Sequence, residues 1–246
     1  MGLKEDIEKE VDSVLSIAWA EREGRDVPAA EDVALGNGAV KIRAAMLYAD
    51  LAELTKISMT LQPWMAAEIA KAFLATSCRI IRYHGGHIRS FDGDRVMGVF
   101  VDDDRCVRAA KAAFQISWTV SFVLRPKFGN YPAFKASGLT ISHGAGIDVG
   151  DVFVARTGIR RNNDLVWVGR APNVAAKLAS VRHSPYATYM TDAAFSELND
   201  ETFWHYPIDG STRKLMWELW TWPQIPSGMR KEIYRSNWWW RPPASA

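Results

Sequence analysis

From residue 3 to 22, Ile7, Val11, Val14, Leu15 and Ala18 recur at three- and four-residue intervals with acids between them. That spacing predicts an amphipathic helix. Gly24 to Gly38 breaks the pattern with Pro28 and two closing glycines, and reads as a linker. A buried-type strand is expected from about Val40 to Asp50. A long helix follows, from about Thr60 to Tyr83, with Met65, Ile69, Phe73, Thr76, Ile80 and Tyr83 on its apolar face and Gly85-Gly86 as its stop. Apolar runs on both sides of Asp92-Gly93 predict a β-hairpin over about His87 to Val101, because Asp-Gly suits a tight turn between strands. Asp102-Asp-Asp104 then opens a second helix with acids at the positive end of its dipole. Val107, Ala110, Phe114, Trp118 and Ser121 mark its buried stripe, and Pro126 and Gly129 close it.

Shorter elements follow. Leu139 to Ile147 reads as a strand in which Gly144, Gly146 and the nearby Gly150 signal close backbone approach, and Val152 to Arg156 is expected to pair back onto it. A strand at Asp164 to Val168, a helix at Gly169 to Val181 and a short strand at Ala187 to Met190 come next. Thr191 caps a helical segment running to about Leu198, with Asp192 in its first turn. Met216 to Trp222 alternates as an edge strand does. Seven of the eleven tryptophans lie beyond Phe203. Trp238-Trp-Trp240 must be covered by the body or by a partner, since a bare aromatic patch is a liability.

Composition changes this picture little. With 246 residues, one large domain with appendages is expected: a helix and linker over 1–38, a catalytic-sized domain over 39–200, and a Trp-rich extension over 201–246 packed on it. The net charge of +2 is too small to argue for stable nucleic-acid binding, although residues 1–26 carry eight acids and four bases and residues 211–246 six bases and two acids. Cys78 and Cys106 fall in helical patterns without metal-ligand spacing and read as core thiols of a reducing compartment. No apolar run approaches the roughly 20 residues that span a bilayer. The acidic, polar start is unlike a secretory signal, so a cytoplasmic location is expected.

Two strands end on acids, and that is where chemistry is expected. Asp50 closes the Val40 strand, and Asp94 opens the returning strand of the hairpin. Carboxylates at adjacent strand ends can hold a pair of divalent ions about 3.5–4 Å apart, the arrangement used in phosphoryl transfer. The bland alternative is that Asp50 caps the next helix and Asp94 completes a turn.

Four motifs in order then resemble the class III nucleotide cyclases. Tyr48-Ala-Asp-Leu-Ala-Glu-Leu-Thr55 is similar to the family's Phe-x-Asp-Ile-x-Gly-Phe-Thr, and Gly93-Asp-Arg-Val-Met-Gly-Val-Phe100 to its Gly-Asp-x-x-Met-x-x-Phe hairpin. His143-Gly-Ala-Gly-Ile-Asp-Val-Gly150 is like its glycine-rich His-x-Gly strand. Gly169-Arg-Ala-Pro-Asn-Val-Ala-Ala-Lys177 resembles its Gly-x-x-Val-Asn-x-Ala-x-Arg helix. The resemblance covers about Ala39 to Leu198. It implies an α+β fold, a ferredoxin-like antiparallel sheet with helices packed on one face, in agreement with the strand-helix-strand-strand-helix order read from periodicity. The implied reaction is attack of a nucleoside triphosphate's 3′-hydroxyl on its own α-phosphate with loss of pyrophosphate. It is served by two divalent cations, Mn2+ or Mg2+, on Asp50, Asp94 and the backbone carbonyl of Leu51. Helix-forming residues after Asp50, including Thr55, would meet the triphosphate with backbone N–H groups. Glu53 departs from the family's glycine there, either facing away or joining the metal site. Asn173 matches the residue that orients the ribose. Lys177 stands where an arginine usually meets the transferring phosphate, keeping the charge but not the bidentate fork. Arg213 and Lys214 are candidates for a further phosphate contact. In this family the aspartates and the Asn/Lys helix of one site come from different subunits, which implies a homodimer with two shared sites.

Base preference is read at two positions, where adenine-specific members carry lysine and aspartate and guanine-specific members resemble glutamate and cysteine. This chain has Ser90 and Val166, so neither purine code is present, and a valine leaves an exocyclic amine unpaired at a cost of about 1–3 kcal/mol. Tyr48, Phe91, Trp167 and Arg95 add bulk and a guanidinium, which suits a smaller ring bearing carbonyl oxygens. The combination resembles the pyrimidine cyclases of the bacterial Pycsar antiphage defence, particularly the uridylate cyclases. That resemblance implies UTP as substrate, cyclic UMP as product and a cyclic-nucleotide-responsive effector downstream. A purine cyclase with a non-standard pocket and a non-catalytic nucleotide sensor are the alternatives.

Overall fold

A computed structural model gives the fold, describing residues 2–159, 162–207, 211–223 and 231–244. Helix α1 (Leu3–Ser16) buries none of its side chains. It ends sooner than its apolar spacing predicts, because Ile17 turns extended and Ala20–Glu23 become strand β1. Strand β1 pairs in parallel with β2 (Gly38–Leu51), whose ladder offers those residues better hydrogen bonds than another helical turn. Asn37 ties the junction by donating from Nδ2 to the Val14 carbonyl at 3.0 Å. The intervening stretch is packed, with a 3₁₀ turn at Ala30–Asp32 and buried Val27 and Val33.

Strand β2 is covered on both faces, which explains its almost unbroken apolar run. The helix expected from Thr60 is two helices, α2 (Leu54–Thr60) and α3 (Pro63–Tyr83), because Pro63 starts a helix better than it continues one. Met65, Ile69, Phe73 and Ile80 face the core as expected. Thr76 does not, and Tyr83 is exposed, since a 3.6-residue period brings Ser77 and Ile81 inward instead. Strands β3 (His87–Asp92) and β4 (Arg95–Phe100) form the hairpin, with Gly93 at φ +61° in its turn. Helix α4 (Arg105–Thr119) runs through a π turn at Val120–Leu124 into α5 (Arg125–Gly129), and α6 (Pro132–Ser137) follows.

Strand β5 (His143–Ile159) is one continuous element, so Val152–Arg156 extends it rather than pairing back onto it. The length of β2 explains this, since it supplies partners from Leu51↔His143 to Ala39↔Ala155. The strand that does pair back is β6 (Asn162–Val168). Helix α7 (Arg170–Ala179), β7 (Thr188–Thr191), α8 (Asp192–Phe195) and α9 (Asp200–Phe203) come next. The expected cap is present, with Thr191 Oγ1 accepting from the Ala194 N–H at 3.3 Å. Strands β8 (Trp204–His205) and β9 (Lys214–Leu215) pair with each other, and β10 (Glu218–Thr221) and β11 (Glu232–Ser236) complete the main sheet.

The main path runs β10-β11-β7-β5-β2-β4-β3, with β1 on β2 and β6 on β5, and β10 at its edge as the sequence predicts. Helices cover both faces, not one. Ala45, Leu47 and Ala49 of β2 pack with α3 and α4 in the larger core. Ile42, Ala44 and Met46 face the other way, onto Ala171 and Ala175 of α7. Alternation along one strand thus feeds two cores. The aromatic tail packs on the body through Trp217 and Trp240, whose rings lie 5.3 and 5.4 Å from that of Phe114. Among the described residues no helix is long and apolar enough to cross a membrane.

Candidate active site

The last even-numbered residue of β2 is Asp50, so its side chain emerges on the α7 face beside Tyr48 and Met46. Its neighbours in register are Arg95 on β4 and Gly144 on β5. The carboxylate is 7% exposed and both oxygens are engaged. Arg95 Nε donates to Oδ1 at 3.3 Å, and Arg182 Nη2 donates to Oδ2 at 2.6 Å. Arg95 also reaches the hydroxyl of Ser180, just past the end of α7, at 2.9 Å. Asp94 follows Gly93 in the hairpin turn, and its carbonyl accepts from the Leu51 N–H at 3.3 Å, which clamps the turn to the end of β2. Burial, with the charge of Asp50 added, holds the Asp94 carboxyl above its ordinary value, against its backbone hydrogen bond and the pull of Arg95 and Arg182.

A cavity of about 540 Å³ opens here, lined by Asp50, Leu51, Thr55, Asp94, Arg95 and Arg182 among others, with alanines of α3 as its apolar wall. That volume suits a small-molecule ligand. Glu53 stands at its rim in the left-handed conformation, φ 59° and ψ 31°, and pairs with the outward Lys56 at 3.6 Å. The backbone keeps the shape a glycine would favour although the residue is glutamate.

The two glycines of the His-x-Gly strand have a packing reason. A Cβ on Gly146 would lie 2.1 Å from the Ala175 carbonyl oxygen, and one on Gly144 would lie 2.2 Å from that of Ala179. Only bare backbone lets α7 lie so close to β5, and that closeness delivers Ser180 and Arg182 to the Asp50–Arg95 pair.

Five of the sequence-derived candidates therefore meet in one cavity: Asp50, Leu51, Thr55, Asp94 and Arg95. Tyr48 and Ser90 flank Met97 in one cross-strand row, so they share the sheet face of Asp50 without lining the cavity. Burial raises the Tyr48 phenol above its ordinary value. Phe91 is 59% exposed on the hairpin. Asn173 and Lys177 lie one turn apart on the exposed face of α7, outside the cavity, with Asn173 Nδ2 donating to the Gly169 carbonyl at 3.0 Å. Val166 and Trp167 sit opposite Ala155 and Val154, which pair with the start of β2, ten residues from Asp50. At about 3.3 Å per residue that separation is roughly 30 Å, too far for one chain to bring both groups to one nucleotide. Arg213 stacks 4.2 Å over Trp204 and, like Lys214, is absent from the cavity lining. Sequence reasoning missed Arg182 and Ser180. Their only signal was position, just beyond a helix whose glycine-strand partner implied close approach.

Asp50, Asp94 and the nearby Leu51 carbonyl are oxygen donors of the kind a hard divalent cation takes, whereas no group of three or more His, Cys, Asp or Glu placed to hold a metal ion occurs among the described residues. Both Asp50 oxygens are paired with guanidiniums, so a cation bound there would take the place of Arg95 or Arg182 on that carboxylate.

The chain is 40% identical over 243 residues to the uridylate cyclase of Rhodovulum sp. (strain MB263), covering 98% of this chain and 99% of that protein. It is 40% identical over 242 residues to the uridylate cyclase of Xanthomonas perforans, again covering 98% and 99%. Its fold is similar to the crystal structure of the adenylyl cyclase CyaB from P. aeruginosa, with a TM-score of 0.65 at 20% identity over 80% of this chain and 95% of that one. No family model matches.

Proposed function

The chain belongs to the uridylate cyclases, and from that premise we propose that it converts UTP to 3′,5′-cyclic UMP and pyrophosphate as a signal in antiviral defence. The observation that carries the catalytic reading is the convergence of Asp50 and Asp94 at the ends of two clamped strands, in a cavity of nucleotide scale. Asp50, Asp94 and the Leu51 carbonyl would hold Mn2+ or Mg2+, which when bound neutralises the triphosphate and acidifies the 3′-hydroxyl. In the reaction the 3′-hydroxyl gives up its proton to solvent and its oxygen bonds to the α-phosphorus, the bond from that phosphorus to the α,β-bridging oxygen breaks, and pyrophosphate leaves with that electron pair.

The protein's own residues position these groups. Arg95 and Arg182 supply positive charge on the cavity wall, and Thr55 offers a hydroxyl on the phosphate side. Asn173 would orient the ribose, and Lys177, one turn on, would meet the charge that builds on the transferring phosphate. Ser90, Val166 and Trp167, with Tyr48 and Phe91, form the base-recognition set, in which Val166 offers no partner for a purine's exocyclic amine. Arg95 donating to a uracil carbonyl would complete it.

A homodimer assembles these parts. The span of roughly 30 Å between Asp50 and Val166 in one chain supports a site made of one subunit's aspartates and the other's α7 and β6. The exposed apolar Val166, Val168 and Phe91 support a covered face there. A location in the cytoplasm and an effector that responds to the cyclic nucleotide complete the proposal. Asp50→Asn and Asp94→Asn test its catalytic part. Each should abolish pyrophosphate release while leaving the circular-dichroism spectrum unchanged. Substantial turnover by either variant would remove the paired-aspartate mechanism.

A further inference from the structure

A second cavity, of about 290 Å³, lies behind the aspartate site. Its floor is made by Ser117 and His143, both 6% exposed, with Ser117 Oγ 3.2 Å from His143 Nε2. Arg125 and Arg182 stand over that floor, with the hydroxyls of Ser121, Ser142 and Ser184 around it, and none of its lining residues is acidic. Tyr186, whose ring carries the Arg235 guanidinium 3.9 Å from its centroid, and Trp239 add aromatic lining. No carboxylate is among the described residues lining this cavity, and Arg182 reaches across its edge to Asp50 Oδ2 at 2.6 Å. Arg125 is anchored by donating from Nε to the Ile141 carbonyl at 2.6 Å. Arg182 is the one lining residue shared with the cavity of Asp50.

We infer that this cavity is a second anion site, one that takes a phosphate-bearing small molecule and shares Arg182 with Asp50. Two guanidiniums, one of them shared with Asp50, and the serines that line the cavity match phosphate oxygens. The volume exceeds what a bare phosphate needs, and the aromatic lining suits a ring attached to it. An occupant that engages Arg182 draws the same cation that holds Asp50, so the site communicates with the aspartate cavity through one side chain. Anion binding in the absence of metal does not depend on the cyclase reading.

Isothermal titration of the full chain with pyrophosphate in EDTA tests this. Without metal the three acids of the aspartate cavity, Asp50, Glu53 and Asp94, outnumber its two arginines, Arg95 and Arg182, and disfavour the probe there. The expected result is one saturating equivalent per chain. Arg125→Gln and Ser184→Asp should each weaken it by about tenfold or more, the scale of a lost charge-assisted hydrogen bond or an added like charge. Asp94→Asn should leave it unchanged, and circular dichroism checks that every variant is folded. Absence of saturable heat with wild type, or wild-type affinity in folded Arg125→Gln and Ser184→Asp proteins, overturns the inference. A change in Asp94→Asn as large as theirs reassigns the binding to the aspartate cavity and overturns it equally.

Discussion

Replacing Gly146 by alanine should detach α7 from its place against β5. The new methyl carbon would lie 2.1 Å from the Ala175 carbonyl oxygen, 2.4 Å from the Ala179 nitrogen and 2.7 Å from the Leu178 Cβ. Non-bonded carbon atoms rest at about 3.5–4.0 Å, so the helix must retreat by roughly 1 Å. Two of the obstacles are backbone atoms, which cannot rotate away. Overpacking of this kind costs about 1–3 kcal/mol, and the upper end applies here. In a chain of this size each kcal/mol moves the melting temperature by about 2–4 °C, so a drop of roughly 4–12 °C is expected. The same retreat shifts Asn173, Lys177, Ser180 and Arg182 together. A misplacement of about 1 Å in positioning residues costs on the order of 100-fold in rate. Gly150→Ala is the control within the same strand, since its nearest neighbour would be an ordinary contact at 3.7 Å. Thermal unfolding by circular dichroism and initial rates of pyrophosphate release, measured side by side, give both numbers. If Gly146→Ala melts within a degree of Gly150→Ala and turns over as fast, the tight helix–strand contact is not what places the site.

Mixing inactive Asp94→Ala protein with inactive Asn173→Ala protein should restore part of the activity, because one site of the mixed dimer is wholly wild type. No recovery after demonstrated subunit exchange would refute shared sites. Glu53→Gly should raise stability by roughly 0.5 kcal/mol. It relieves about 1 kcal/mol of left-handed strain, against the backbone entropy of glycine and an exposed ion pair to Lys56 that contributes little. The same change removes a carboxylate from the cavity rim, so KM for the triphosphate should fall. A rise in KM would make Glu53 a ligand of metal or substrate.

How much of this was legible in the sequence follows from which interactions are local. The hairpin was readable because Asp92-Gly93 specifies its own turn, and Asp50 and Asp94 because each closes or opens a strong apolar run. Thr191 announced its cap in the same way. The single long β5 was not readable. Its glycines look like breaks, and only the partner strand β2 keeps it extended through Gly150. The end of α1 was missed for a related reason, since β1 exists only by pairing with β2. Amphipathicity showed that α7 buries a face, but not which side of the sheet it covers. Arg182 shows the limit most clearly. Its partner Asp50 is 132 residues away, and only the approach of α7 to Gly144 and Gly146 brings them together.

The substrate decides the account as a whole. ATP, GTP, CTP and UTP should be supplied together at equal concentration with Mn2+, and the cyclic products separated and quantified. The ratios of product then report the ratios of kcat/KM directly. With Ser90 and Val166 in place of either purine code, cyclic UMP should dominate. Preferential cyclisation of ATP or GTP would contradict the base-pocket argument built on those residues, and a dominant cyclic CMP would contradict the assignment of Arg95 to a uracil carbonyl.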